Sequence, residues 1–136
     1  MPDPVRRIEY VYTVVENRPG EGARILDVLK DAGVNLIALH AFPEGGKAQL
    51  DFFPESMTAL EAAAKKAGIT LSAKKTALWI EGDERIGAMA SSLDRLAEAG
   101  INVIAADALR VGAKYAAIMW VAPPDLGRAA KALGSK

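Results

Sequence analysis

The stretch "LDVLKDAGVNLIAL" at residues 26–39 returns 67 residues later as "LDRLAEAGINVIAA" at residues 93–106. Eight of its fourteen positions carry the same residue, and the matches include leucine, asparagine and glycine as well as alanine. Gly33 and Gly100 each follow a helical apolar pattern and precede a β-branched residue, which is typical of a left-handed helix cap before a strand. The chain therefore contains an internal repeat, which is the first feature that a fold assignment has to satisfy.

The loop before each repeated helix is conserved only in part between the two copies. It reads "ENRPG" at 16–20 and "DERIG" at 83–87, so Arg18 matches Arg85 and Gly20 matches Gly87, whereas Asn17 and Pro19 have no counterpart. Asparagine, proline and glycine are good turn and helix-start residues in any protein, so a purely structural role for this loop stays open.

Each copy predicts the element order β-α-β-β-α-β. In the first copy the alternation over 8–15 predicts a strand, 20–32 a helix, "VNLIALHAF" and "KAQLDFF" a hairpin through "PEGG", and "ESMTALEAAAKKA" a second helix before the strand "ITLSAKK". The second copy repeats this order from "TALWIE" onward. We therefore predict an α+β fold of two ferredoxin-like repeats with antiparallel sheets and helices on one face, divided into domains 1–75 and 76–136.

The second copy ends before its last strand. Gly134 corresponds to Gly68, which precedes "ITLSAKK", but only two residues follow it. The strand "TALWIE" would then lie at an open sheet edge, and an open apolar edge is usually covered or paired. We expect this edge to be completed by another chain or by residues 69–80.

Composition narrows the classes of function. The 136 residues are 51% hydrophobic, which favours a packed core, and 17 basic residues balance 17 acidic ones, which gives no electrostatic pull toward nucleic acid or membrane. The chain has no cysteine, so thiolate catalysis and zinc–thiolate sites are excluded. No signal-peptide or membrane-spanning pattern is evident, and we expect a cytoplasmic location.

Together, the strand, the loop "ENRPG" and an amphipathic helix ending in "AGVN" resemble the ACT domain, a small ferredoxin-like module that binds amino acids and regulates metabolic enzymes. The stretch "VVENRPGEGARILDVLKDAGVNLIAL" is similar to the serine-sensing domain of phosphoglycerate dehydrogenase. The likeness covers residues 8–134 and implies a free-standing pair of ACT domains, although the serine-sensing relatives carry a histidine where this chain has Val15.

The resemblance implies a ligand site between the loop of one domain and the start of the second strand of a paired domain. The residues that it implicates are Asn17, Arg18, Pro19, Gly20, Asn35, Arg85, Gly87 and Asn102. These residue types suit an amino acid, since an asparagine side chain both donates and accepts and a helix N-terminus offers N–H groups to a carboxylate.

We therefore expect a non-catalytic regulatory module that binds an amino acid or a similar small metabolite, acts on a partner enzyme or protein, and forms a homo-oligomer. His40 has no serine or carboxylate in a catalytic arrangement near it, and neither a metal site nor a cofactor is predicted. Two alternatives stay open: an adaptor with degenerate ligand sites, and RNA binding through Phe52, Phe53, Tyr115 and Trp120.

Overall fold

The computed structural model describes residues 3–134. The strands are β1 (Val5–Glu16), β2 (Leu36–Glu44), β3 (Lys47–Pro54), β4 (Lys75–Asp83), β5 (Val103–Val111) and β6 (Lys114–Val121). The α-helices are α1 (Glu21–Asp31), α2 (Met57–Ala67), α3 (Ala88–Glu98) and α4 (Leu126–Ala132), and a 3₁₀ turn at Pro123–Asp125 precedes α4. Among the described residues no helix is long and apolar enough to cross a membrane.

The chain forms two compact units, each built on one copy of the repeat. The first repeat is the unit formed by residues 9–75, and the second repeat is the unit formed by Thr76 onward together with the residues up to Ile8. In the first repeat the strand order is β2-β3-β1, and both pairings are antiparallel. In the second repeat β5 pairs with β6 and β6 with β4, again antiparallel. The predicted fold class of two ferredoxin-like repeats is confirmed.

Each repeat has a core between its helices and one face of its sheet. In the first repeat Val11 and Val15 of β1 join Phe52 of β3, Leu29 of α1 and Leu60 of α2. The corresponding cluster of the second repeat includes Leu78, Leu96, Met119 and Ala129. Alternation along a strand places every second residue on one face, so these side chains turn toward the helices together.

The glycines at the structural joints have the conformation that the sequence predicts. Gly33 and Gly100 end their helices with φ values of 74° and 72°, in the left-handed region that side chains disfavour. The hairpin between β2 and β3 turns through Gly45 and Gly46 with φ values of 57° and 82°, as a two-residue turn with positive φ at both positions requires. The second helix of the first repeat is capped by Ser56, whose side chain accepts a hydrogen bond from the N–H of Ala59 at 3.1 Å.

The last strand of the first repeat was predicted wrongly. Residues 69–74 are not a regular strand, although they run beside β1. Ser72 bonds Tyr12 twice, since its N–H donates to the Tyr12 carbonyl at 2.8 Å and its Oγ accepts from the Tyr12 N–H at 2.9 Å. Thr13 Oγ1 donates to the Thr70 carbonyl at 2.8 Å. Side-chain hydroxyls thus replace part of the backbone ladder, which leaves the segment extended but irregular.

The open edge of the second repeat is completed neither by another chain nor by residues 69–80, and that expectation was wrong. The neighbour of β4 is β1, whose first residues belong to this repeat, and the Glu81 N–H donates to the Pro4 carbonyl at 3.3 Å. The reason is the length of β1. Its 12 residues begin well before the pairing with β3, which starts at Val11, so its first residues extend beyond the first repeat and lie beside β4.

Candidate functional site

The first predicted loop lies exposed between β1 and α1. Gly20 caps α1 with φ at 92°, so this position serves the backbone. Arg18 forms an ion pair with Glu21 at 3.1 Å, and its side chain is 68% exposed. Asn17 and Pro19 are exposed as well, and nothing within residues 3–134 hydrogen-bonds the Asn17 side chain.

Asn35 lies at the other end of α1 from this loop. Its Nδ2 donates to Glu55 Oε1 at 2.9 Å, and its carbonyl accepts from the Glu55 N–H at 3.0 Å. The 11 residues of α1 span about 16 Å at 1.5 Å per residue. One repeat therefore does not bring Asn17 and Asn35 together, and Asn102 is separated from Arg85 by α3 in the same way. A site that uses both ends needs two domains.

The second predicted loop borders a groove at the start of α3. Gly87 caps α3 with φ at 78°, and the groove has a volume of ≈ 320 Å³. Its lining residues are Glu84, Arg85, Gly87, Ala88, Met89, Ala90, Ala108, Leu109, Arg110 and Tyr115. The structure thus brings the predicted Arg85 and Gly87 together with Glu84, Arg110 and Tyr115, which sequence reasoning missed.

Opposite charges line this groove side by side. Arg110 Nε lies 3.8 Å from Glu84 Oε2 and donates to the Gly112 carbonyl at 2.9 Å. The first-turn N–H groups of α3, including those of Met89 and Ala90, have no partner within the helix and carry its positive dipole end. The groove can therefore offer an acceptor to an ammonium group and donors to a carboxylate.

Arg85 is held in place by Asp3. Its Nη2 donates to Asp3 Oδ2 at 2.8 Å, its Nη1 donates to the Asp83 carbonyl at 3.0 Å, and the Tyr115 hydroxyl donates to the same Asp3 oxygen. The guanidinium carbon of Arg85 also lies 5.9 Å from the centre of the Tyr115 ring. Gly82 faces this cluster, and a Cβ added there would lie 2.5 Å from Asp3 Cγ.

The protonation states in this cluster follow from its contacts. Burial raises the pKa of Asp3, but hydrogen bonds from Arg85 and Tyr115 outweigh it and hold that pKa below its ordinary value. Burial and the Asp3 carboxylate raise the pKa of Tyr115 to about 12. At neutral pH Asp3 is therefore a carboxylate and Tyr115 a hydrogen-bond donor. Because the pKa of Asp3 is lowered on folding, its contribution to stability is present above its ordinary pKa of 3.8 and lost as the pH falls through the folded-state value.

A second groove in the first repeat has a volume of ≈ 470 Å³. It is lined by Tyr12, Thr13, Val14, Val15, Arg24, Ile25 and the stretch 67–72. Thr13 Oγ1 is already bonded to Thr70, and Arg24 to Glu21 at 2.8 Å. This groove includes none of the predicted site residues.

The aromatic residues considered for RNA binding are not available for stacking. Phe52, Phe53, Tyr115 and Trp120 are between 0% and 9% exposed, whereas recognition of single-stranded RNA on a sheet needs open rings. Within residues 3–134 no group of three or more histidine, aspartate or glutamate side chains is arranged to hold a metal ion.

Comparison with known proteins gives structural matches only. No protein-family model matches the chain, and no curated protein matches it. A crystal structure of a Bacteroides thetaiotaomicron protein is similar with a TM-score of 0.84 at 16% identity, over 95% of this chain and 88% of that one. The regulatory subunit of aspartate kinase from Thermus thermophilus, in its ligand-free form, has a TM-score of 0.66 at 14% identity, over 98% and 95% of the two chains.

The corresponding subunit from Thermus flavus gives a TM-score of 0.59 at 15% identity, over 98% of this chain and 95% of that one. Structural similarity at such low sequence identity shows only that the folds are alike. The chain has the fold of a tandem ACT-domain protein. This assignment agrees with the internal repeat, the two cores and the paired glycine caps.

Proposed function

We propose that this protein is a regulatory module that binds an amino acid or a similar small zwitterion in the groove at the start of α3. The observation that carries the proposal is the convergence of Glu84, Arg110 and the first turn of α3, with Met89 and Ala90, around one groove. An amino acid at neutral pH presents one ammonium and one carboxylate, and this groove offers a partner to each.

The regulatory part of the proposal is supported by the structural neighbours. Two of them are regulatory subunits of aspartate kinase, with folds that extend over nearly the whole of this chain. In our proposal the protein is non-catalytic and transmits ligand binding to a partner enzyme or protein. Asn17, Arg18, Pro19, Gly20, Asn35 and Asn102 remain candidates for a second ligand contact, in the arrangement of two paired domains that the sequence suggests.

A melting screen tests the proposal. We expect one of the twenty amino acids at millimolar concentration to raise the melting temperature, because a ligand at one hundred times its dissociation constant stabilises by about 2.7 kcal/mol. Glu84→Gln and Arg110→Met should each weaken binding about tenfold, which is the loss expected for one charged hydrogen bond.

Arg18→Met tests the first loop, in which Arg18 is exposed and is the counterpart of Arg85. It should leave the melting shift unchanged. A shift that disappears in Arg18→Met but survives in Glu84→Gln would place the ligand at the first loop instead, and the absence of any shift would contradict the proposal.

A second candidate function, a protein–protein adaptor, is favoured by strand β5. This strand ends the sheet of its repeat, and its apolar side chains Ile104, Leu109 and Val111 are 62%, 59% and 69% exposed. Open apolar edge strands are prone to pair with another chain. If β5 is an interface, Leu109→Lys should shift a concentration-dependent oligomer toward the monomer in sedimentation velocity, and a wild-type monomer at high concentration would exclude self-association through it.

A further inference from the structure

Asp3 belongs to the second repeat, and its side chain is only 17% exposed. The Asp3 carboxylate accepts hydrogen bonds from the guanidinium of Arg85 and the hydroxyl of Tyr115. It also lies against the backbone of Gly82, which has no side chain. Charge-assisted bonds of this kind are stronger than neutral ones, and the tyrosine that completes the set is itself only 5% exposed. This arrangement is how a protein binds a free carboxylate ligand, except that the carboxylate here belongs to the chain.

Gly82 gives independent evidence that this space is shaped for a carboxylate. A Cβ at this position would lie 2.5 Å from both Cγ and Oδ1 of Asp3, so any side chain there would expel it. On the 67-residue shift of the repeat the counterpart of Gly82 is Val15, a core residue of the first repeat. The first repeat therefore carries a side chain at the position that the second repeat leaves bare.

Asp3 and a second carboxylate cannot share this space. With Asp3 in place, the cavity beneath it has a volume of ≈ 20 Å³, which is room for about one water molecule. Its other walls include Ser91, Ser92 and Arg95 of α3. The corresponding region of the first repeat, which no such acidic side chain enters, is the open groove of ≈ 470 Å³.

We propose that Gly82, Arg85 and Tyr115 form a carboxylate-binding cradle, that Asp3 is its tethered occupant, and that a small free carboxylate displaces Asp3 from it. Since Pro4, the next residue, bonds Glu81 of β4 and β1 begins at Val5, displacement of Asp3 loosens the edge of the second repeat. The cradle is thus a switch that couples carboxylate concentration to the docking of residues 3–8 on the second repeat. The inference does not require an amino acid in the neighbouring groove, because the cradle recognises a carboxylate alone.

Chemical rescue with acetate tests the cradle. Asp3→Ala should lower the melting temperature, and acetate should restore part of the loss, compared with chloride at the same ionic strength, because acetate enters the vacated cradle. Asp3→Ala combined with Arg85→Met should lose the rescue. Gly82→Ala should destabilise like Asp3→Ala without being rescued, since its Cβ fills the cradle.

Glu16→Ala controls for general effects of acetate, because it breaks an exposed ion pair of 2.6 Å with Lys47 in the first repeat, to which no cradle residue belongs. Asp3→Ser, whose shorter side chain also vacates the cradle, replaces Asp3→Ala if the latter does not fold. An Asp3 variant as stable as the wild type, or one that acetate stabilises no more than Glu16→Ala, would overturn the proposal.

Displacement is tested in the wild-type protein by hydrogen exchange. A short tether presents Asp3 at a millimolar effective concentration, so acetate well above that level is needed to compete. The amide of Glu81, which bonds to the Pro4 carbonyl, should then exchange faster in acetate than in chloride. Equal protection in the two salts, at acetate concentrations that saturate Asp3→Ala, would overturn the displacement. None of these experiments contains an amino acid, so their failure is distinguishable from failure of the groove.

Discussion

Deleting the residues before Glu9 is expected to lower the free energy of unfolding by about 3–6 kcal/mol. The deletion removes Ile8, which is 5% exposed, and burial of such a side chain contributes about 1.5–3 kcal/mol. It also removes Val5, which packs on the core of the second repeat, and the edge hydrogen bonds to β4, each worth about 0.5–1.5 kcal/mol. Urea unfolding measures the loss.

Hydrogen exchange shows which part of the protein the deletion destabilises. Amides of β4 and β6 should lose protection in the deleted protein, whereas those that pair β2 with β3 should keep it, because the deleted residues belong to the second repeat. Glu9→Ala, an exposed change at the next position of β1, should leave both stability and protection unchanged. A deleted protein as stable as the wild type would show that these residues do not complete the second repeat.

Replacing Phe52 by alanine is expected to cost about 3–5 kcal/mol, the range found when a buried phenylalanine is truncated. The ring is 1% exposed and lies in the core of the first repeat between β1 and α2. The loss combines the transfer energy of the ring with the cavity that remains, since close-packed cores relax only in part.

Phe42→Ala is the matched control, because it removes the same atoms from a half-buried position in β2, where the ring lies 4.9 Å from that of His40. We expect it to cost less than half as much in the same urea titration. If Phe52→Ala were no more costly than Phe42→Ala, the core assigned to the first repeat would be wrong.

Most of the fold could be predicted from sequence because its signals are local. The apolar periods of α1 and α3, and the glycines that end them, recur at one shift, and positive φ at Gly33 and Gly100 is a requirement of the backbone that few other residues meet. The extra length of β1 was missed because Pro4, Arg6 and Arg7 interrupt the alternation that identifies a strand. Within the strand the guanidinium carbon of Arg6 lies 5.7 Å from the centre of the Trp79 ring, a favourable cation–π contact. Folding brings these two residues together, so the sequence pattern does not show the contact.

The candidate site was predictable only where it coincides with the repeat. Arg85 and Gly87 were found by comparing the two loops, but Tyr115 and Asp3 meet across 112 positions of the sequence and belong to no motif. One signal was present: an isolated glycine inside a strand, such as Gly82, often marks a close approach by another group. The identity of that group, Asp3, follows only from the topology that brings the beginning of β1 to the edge of β4.

The most direct test of the ligand groove is an NMR titration of the isotope-labelled protein with the amino acid that gives the largest melting shift. We predict that the largest changes occur at the amides of Met89 and Ala90 and at the Arg110 side chain, with smaller ones through residues 84–88 and 108–115. Changes confined to residues 17–20 and to Asn35, with residues 84–90 unmoved, would contradict the account.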